Sequence, residues 1–190
     1  VAERSSFAPA PGRDLPVLDG EEHLVFAANN YLGLTQHDRV QDAAAQAAEV
    51  VGTGAGASRL VTGDTMVHRD LERRLAEVTG TDRALAFSSG YAANVGTIAA
   101  LAPDVVFSDE CNHASTVDGC RLSGADVVVY DHCDADDLRR RMADRVESDA
   151  EAAADESWLV VTDSVFPMDG TVAPLEAICT AAESVGAWLM

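Results

Sequence analysis

The stretch from Asp109 to Thr116, "DECNHAST", gathers two acids, a thiol, an amide, an imidazole and two hydroxyls. Three chemistries compete for it. His113 could ligate a metal, act as base for Cys111 or Ser115, or be a satisfied structural histidine. The cysteines, Cys111, Cys120, Cys133 and Cys179, form no C-x-x-C pair, which speaks against a zinc knot. Cys111 and Ser115 each stand two positions from His113, and no orienting acid is evident. Nucleophile pairs are usually assembled from distant segments. On residue types alone, the structural histidine is the stronger reading.

Three other stretches carry possible chemistry. "YDHCDADD" (130–137) offers His132, Cys133 and several carboxylates to a metal, but a helix-capping Asp134 and an acidic surface explain most of it. "GTGAGAS" (52–58) fits a G-x-G-x-x-A fingerprint through Gly52, Gly54 and Ala57. That fingerprint must follow a strand and open a helix; here it follows an Ala-rich helical segment and reads as a glycine turn. "FSSGYAAN" (87–94) has the better context, with a strand-like run before it and a helix after. Free N–H groups at such a helix start suit an anion, so it reads equally as a phosphate cradle or as an ordinary strand–helix turn.

The elements that must hold these residues are legible from periodicity. Residues 24–29 read as a short strand and 38–51 as a helix. A second helix begins near His68, with Leu71, Leu75 and Val78 on one face, an Asp70–Arg74 pair, and Gly80 as its stop. Apolar runs at 83–88, 104–108, 125–130 and 158–163 then read as strands. Helices are expected at 90–101, 113–122, 135–146 and 174–185, with a last strand opening at "AWLM". Asp134 is placed to cap the third of these helices, with Asp137 at capping-box distance and Leu138, Met142 and Val146 on one face. "ESDAEAAADE" (147–156) is expected to be an acidic surface loop. The alternation predicts an α/β fold, a three-layer α-β-α arrangement on a mostly parallel sheet. Ligands of such sheets sit beyond the carboxyl ends of the strands, where 87–94 and 109–116 lie. Residues 1–37 are expected to be an arm and lead-in, and 38–190 a large but incomplete domain.

The 190 residues carry 32 acids against 13 basic residues, a net −19, and every basic residue is arginine. Such a surface repels nucleic acid and anionic lipid, and the scattered acids suggest adaptation to high salt. No run approaches the roughly 18 apolar residues of a membrane span. The opening residues lack a signal-peptide pattern, and Val1 is not an initiator methionine. We therefore expect a soluble cytoplasmic protein with reduced cysteines and an already shortened N-terminus.

Taken in order, "NNYLGL" (29–34), "GTGAGASRLVTGDTMVHRDLE" (52–72), "FSSGYAANVGTIAAL" (87–101), "FSDECNHASTVDGCRLS" (107–123) and "VVTDSVFPMDGTVAPLEAI" (160–178) resemble the α-oxoamine synthases. These are pyridoxal-phosphate enzymes of the aspartate-aminotransferase fold (fold type I). The resemblance implies that the backbone of Gly90 and Tyr91 holds the cofactor phosphate and that His113 stacks on the pyridine ring. It implies Asn29 as a contact of the amino-acid carboxylate. It implies a homodimeric enzyme that joins an amino acid to an acyl-CoA with loss of CO2. Alanine with pimeloyl-CoA is our first expectation, and glycine with acetyl-CoA the second. Two departures stand out. Pro167 replaces the family's serine before "MDG", so a hydroxyl contact to the cofactor is lost. The chain also has no lysine, whereas the family carries its cofactor on one, downstream of a "DEAHG" motif that is equally missing. The 190 residues alone are therefore expected to be inactive, and a non-catalytic acidic α/β binding domain stays open as a third reading.

Overall fold

A computed structural model describes residues 17–18, 21–23, 28–148 and 150–190. The chain forms two compact units, Val1–Met66 and Val67–Met190.

In the first unit, β1 (Val17–Leu18) and β2 (Glu21–Glu22) pair antiparallel. The strand expected over 24–29 falls largely outside the described residues. Helix α1 (Asp38–Val51) starts at His37, whose Nδ1 accepts the Arg39 N–H at 3.2 Å. It ends at Gly52, and Gly52, Gly54 and Gly56 follow with φ of 89°, 79° and 73°. These left-handed conformations explain why glycine alternates through "GTGAGAS". No helix opens there; the next one begins at Met66, so the dinucleotide fingerprint lacks its helix N-terminus.

The second unit is built on a four-stranded sheet in the order β4-β3-β5-β8, in which every neighbouring pair is parallel. The strands are β3 (Val105–Asp109), β4 (Asp126–Tyr130), β5 (Trp158–Val161) and β8 (Trp188–Leu189). The helices are α2 (Met66–Thr79), α3 (Gly90–Leu101), α4 (Ala114–Ser123), α5 (Ala135–Ser148), α6 (Ala150–Asp155) and α7 (Leu175–Ser184). A short hairpin, β6 (Val165–Phe166) with β7 (Thr171–Val172), precedes α7.

Side chains alternate across the sheet with period two, and the two faces fill separate cores. Val105, Phe107, Trp158 and Val160 pack with Leu138, Met142 and Ile178 on the α5/α7 side. Val106, Leu159 and Val161 pack with Ile98 and Cys120 on the α3/α4 side. This is the expected three-layer α-β-α arrangement. Both faces are covered, so β3 and β5 are buried throughout.

Three expectations change. Residues 83–88 form no ladder among the described residues, because the sheet order gives them no neighbour; the Ala86 N–H donates to Glu72 Oε1 at 2.8 Å. The acidic stretch 147–156 is mostly helical, since α5 runs to Ser148 and the alanine-rich α6 follows. Asp134 does cap α5, its Oδ1 accepting the N–H groups of Asp136 and Asp137 at 2.9 Å each. The capping box does not close, because Asp137 is buried and its Oδ2 accepts the Asp131 N–H at 2.8 Å instead. The Asp70–Arg74 pair forms at 2.8 Å, and Gly80 ends α2 with φ 70°.

Candidate functional site

Helix α3 begins at a serine turn. Ser89 is extended and caps the helix: its Oγ accepts the Ala92 N–H at 3.1 Å and its carbonyl accepts the Ala93 N–H at 3.0 Å. A helix start leaves its first amides without intrahelical partners. Here the serine satisfies the later two, and the N–H groups of Gly90 and Tyr91 have no acceptor among the described residues. Both residues are exposed. The Tyr91 side chain turns to α4, where its hydroxyl donates to Asp118 Oδ2 at 2.8 Å; that bond to a carboxylate pushes the phenol up. Tyr91 thus offers its backbone, not its ring.

Helix α4 begins at His113, just beyond the carboxyl end of β3. The histidine caps the helix through Nδ1, which accepts the Ser115 N–H at 3.1 Å and lies 2.7 Å from Ser115 Oγ. Its neighbour Asn112 is buried and welds the carboxyl ends of two strands together. Asn112 Nδ2 donates to Ser108 Oγ at 3.0 Å and to the Val161 carbonyl at 2.8 Å, while its Oδ1 accepts the Asp163 N–H at 3.2 Å. Sequence reasoning passed over Asn112. The sequence shows an asparagine in a post-strand turn, and only the fold buries it.

The two helices lie side by side. Asn94 bonds Ser115, and four residues further along each helix Ile98 meets Gly119. A methyl group on Gly119 would stand 2.9 Å from Ile98 Cδ1 and 3.2 Å from the Asn94 carbonyl oxygen, so glycine permits the close approach. With this register both helices run the same way, and their N-termini open at one end. The free amides of Gly90 and Tyr91 and the exposed His113 ring share that end.

His132 and Cys133 belong to a different cluster. Asp109 is buried, and its Oδ1 accepts the Cys111 N–H and faces His132 Nδ1, both at 2.9 Å. Its Oδ2 accepts the Cys133 N–H at 2.9 Å. His132 Nε2 lies 2.7 Å from Thr171 Oγ1 and 3.5 Å from Cys133 Sγ, and the ring meets Phe166 edge-on at 4.4 Å. The Asp109, His132 and Cys133 ligand atoms fall within 4.8 Å of one another, the spacing of a metal set. Their donors and acceptors are already matched within the protein, so the cluster works as a lock between the turns after β3 and β4 and the β6–β7 hairpin. Burial and the Asp109 charge push the Cys133 thiol up, and desolvation by neighbouring residues with the charges of Glu110 and Asp109 does the same to the exposed Cys111. Neither thiol is primed as a nucleophile.

Asn29 lies in the first unit, exposed, with its Oδ1 facing the Tyr31 hydroxyl at 3.5 Å. Pro167 opens the β6–β7 turn, which is closed by the Gly170 N–H donating to the Phe166 carbonyl at 2.8 Å. The turn asks for no N–H at position 167, so proline fits its backbone at no cost in pairing.

A parallel sheet covered on both faces, with an anion-ready helix start and an exposed imidazole together at one end, describes a cofactor-type α/β domain. The chain belongs to the family Aminotransferase class I and II, which it matches over residues 21–190. Its relatives are α-oxoamine synthases, the group to which the order of motifs points. It is 51% identical over 176 residues to the 8-amino-7-oxononanoate synthase of Geobacter metallireducens, covering 92% of this chain and 43% of that one. It is 45% identical over 185 residues to the 8-amino-7-oxononanoate synthase 2 of Bacillus subtilis, covering 96% and 45%. In structure it resembles a serine palmitoyltransferase from S. paucimobilis with a bound PLP–myriocin aldimine, with a TM-score of 0.84 at 32% identity, covering 92% of this chain and 43% of that one. The chain thus spans less than half the length of these relatives.

Proposed function

We propose that this chain is the N-terminal portion of a pyridoxal-phosphate-dependent acyltransferase that condenses alanine with pimeloyl-CoA, an 8-amino-7-oxononanoate synthase. The observation that carries the reading is the pair of amides at Gly90 and Tyr91, without an acceptor among the described residues, at the same end of the α3/α4 layer as the exposed His113. These residues fit the cofactor. Two free N–H groups on a helix start suit a phosphate, and a flat imidazole suits one face of a pyridine ring.

Pyridoxal phosphate, when bound, would supply an electron sink for the α-carbon of the amino acid. The chain's own residues bind and shield. Gly90 and Tyr91 hold the phosphate through their amides. His113 covers one ring face, fixes the ring's orientation and keeps water from the reacting carbon. Asn29 contacts the amino-acid carboxylate. Condensation with the acyl-CoA releases CO2 and CoA. These 190 residues contain no lysine, so they lack the group for a covalent link to the cofactor and are inactive alone.

The names of the relatives at 45% and 51% identity support the alanine and pimeloyl-CoA pair. We further read the whole protein as cytoplasmic and adapted to high salt, a reading supported by the four free cysteines and the net charge of −19 of these 190 residues, and as a homodimer, which rests on the family resemblance alone. Among the described residues no helix is long and apolar enough to cross a membrane. The deciding assay offers the full-length gene product alanine with pimeloyl-CoA, and glycine with acetyl-CoA. CoA release with the first pair is expected. Turnover of the glycine pair alone would overturn the assignment.

A further inference from the structure

We infer that Ser115 and Asn94 are positioning residues that set the tautomer and ring orientation of His113, turning Nδ1 inward as an acceptor and presenting Nε2–H outward. The inference rests on the reading of His113 as the residue that covers the cofactor ring.

The argument runs through donors. A backbone N–H can only donate, and the Ser115 N–H points at His113 Nδ1 from 3.1 Å. That nitrogen must therefore carry a lone pair, and the neutral ring's proton sits on Nε2. Ser115 Oγ is 2.7 Å from the same nitrogen and 2.9 Å from Asn94 Nδ2. The asparagine amide donates to the serine oxygen, which leaves the hydroxyl proton directed at Nδ1. The result is a one-way chain from Asn94 N–H to Ser115 O–H to His113 Nδ1.

Burial makes the chain rigid. Ser115 is 1% exposed and Asn94 is half-buried, whereas the His113 residue is exposed. Two donors on one ring nitrogen restrict rotation about the Cβ–ring bond, which a single cap bond would restrict less. Ring covering needs a fixed plane, and the fixed tautomer puts a single donor, Nε2–H, on the outer edge. Ser115 and Asn94 act only through His113. A helix cap by itself would need the serine amide alone, so the hydroxyl and the asparagine are the distinctive parts.

The test uses the nitrogen-15-labelled full-length gene product, freed of cofactor, and reads the His113 ring by two-bond proton–nitrogen correlation at a pH where the ring is neutral. The wild-type chain is expected to show the Nε2–H tautomer. Ser115→Ala keeps the amide cap and should lower the Nε2–H to Nδ1–H ratio about fivefold, the worth of one hydrogen bond. Ser115→Thr should restore it. Asn94→Ala leaves cap and hydroxyl in place and should shift the ratio the same way by less, which keeps the idea testable if the serine variant folds poorly. Equilibrium dialysis against pyridoxal phosphate should show weaker binding by Ser115→Ala and recovery by Ser115→Thr. An Nδ1–H tautomer in the wild type, or a ratio untouched by Ser115→Ala, overturns the relay. A locked tautomer in a full-length protein that binds no pyridoxal phosphate upholds the relay and sinks the cofactor reading.

Discussion

Asp109 Oδ1 lies 2.9 Å from His132 Nδ1, and the Asp109 side chain is wholly buried. One carboxylate thereby gathers the imidazole of His132 and the amides of Cys111 and Cys133. Asp109→Asn would set an NH2 group against one of those donors and leave it unmatched. We expect a loss of about 3 kcal/mol in chemical denaturation, the scale of a broken buried charged contact. A loss below about 1 kcal/mol would show that the lock between the two turns is dispensable.

Acid should weaken the fold through Asp137 and Glu156. The Asp131 amide, with Arg141 and Arg140 beside it, holds the Asp137 carboxyl below its ordinary 3.8. The Arg145 guanidinium does the same for Glu156, ordinarily 4.5. A carboxyl with a depressed native pKa binds its proton more readily when unfolded. Its stabilisation is therefore complete above the ordinary value and fades as pH falls through the native one. Melting temperature should be flat above about pH 5 and fall below about pH 4. Asp137→Asn should shrink that fall; an unchanged acid limb in this variant would remove Asp137 from the account.

Gly119→Ala weighs two opposed effects. Alanine gains up to about 1 kcal/mol in helix propensity. Its methyl group, however, would meet Ile98 Cδ1 at 2.9 Å and the Asn94 carbonyl oxygen at 3.2 Å. Ile98 is fully buried and has little room to move. Overpacking costs about 1–3 kcal/mol, so we expect a net loss of stability. A raised melting temperature would show that α3 and α4 separate freely.

Salt should stabilise the chain. A net charge of −19 repels itself, and a Debye length of about 10 Å at 0.1 M shortens to about 3 Å at 1 M. Exposed pairs such as Arg73–Asp70 and Arg73–Glu77 weaken under the same screening. Such exposed pairs contribute little to stability, so relief of the net repulsion wins. Melting temperature should climb as KCl rises from low salt to molar levels; a flat or falling curve would contradict this.

Much of the second unit was legible from local pattern. The helices at 90–101 and 135–146 and the strands around Val106, Val128 and Val160 follow from apolar spacing and from caps such as Asp134. These signals act over two to four residues, which is the range a sequence displays. The run 83–88 has the same strand-like composition and still forms no ladder, because pairing requires a neighbour that the order β4-β3-β5-β8 does not offer it. Alanine-rich 150–155 was read as loop from its charge, and helix propensity prevailed.

By itself the sequence determined the α/β alternation, the turns that carry chemistry, and the presence of His113 and Gly90 at helix starts. Only the tertiary structure decided which side chains meet. Asn94 and Ser115 are 21 residues apart, and Asp109 and His132 are 23 apart. Such contacts depend on strand order and on the close α3–α4 packing at Gly119. They made His132 part of an internal lock and left His113 facing outward. The physical reason is range: backbone periodicity is a local property, whereas hydrogen-bond partnership between turns exists only once the sheet has brought them together.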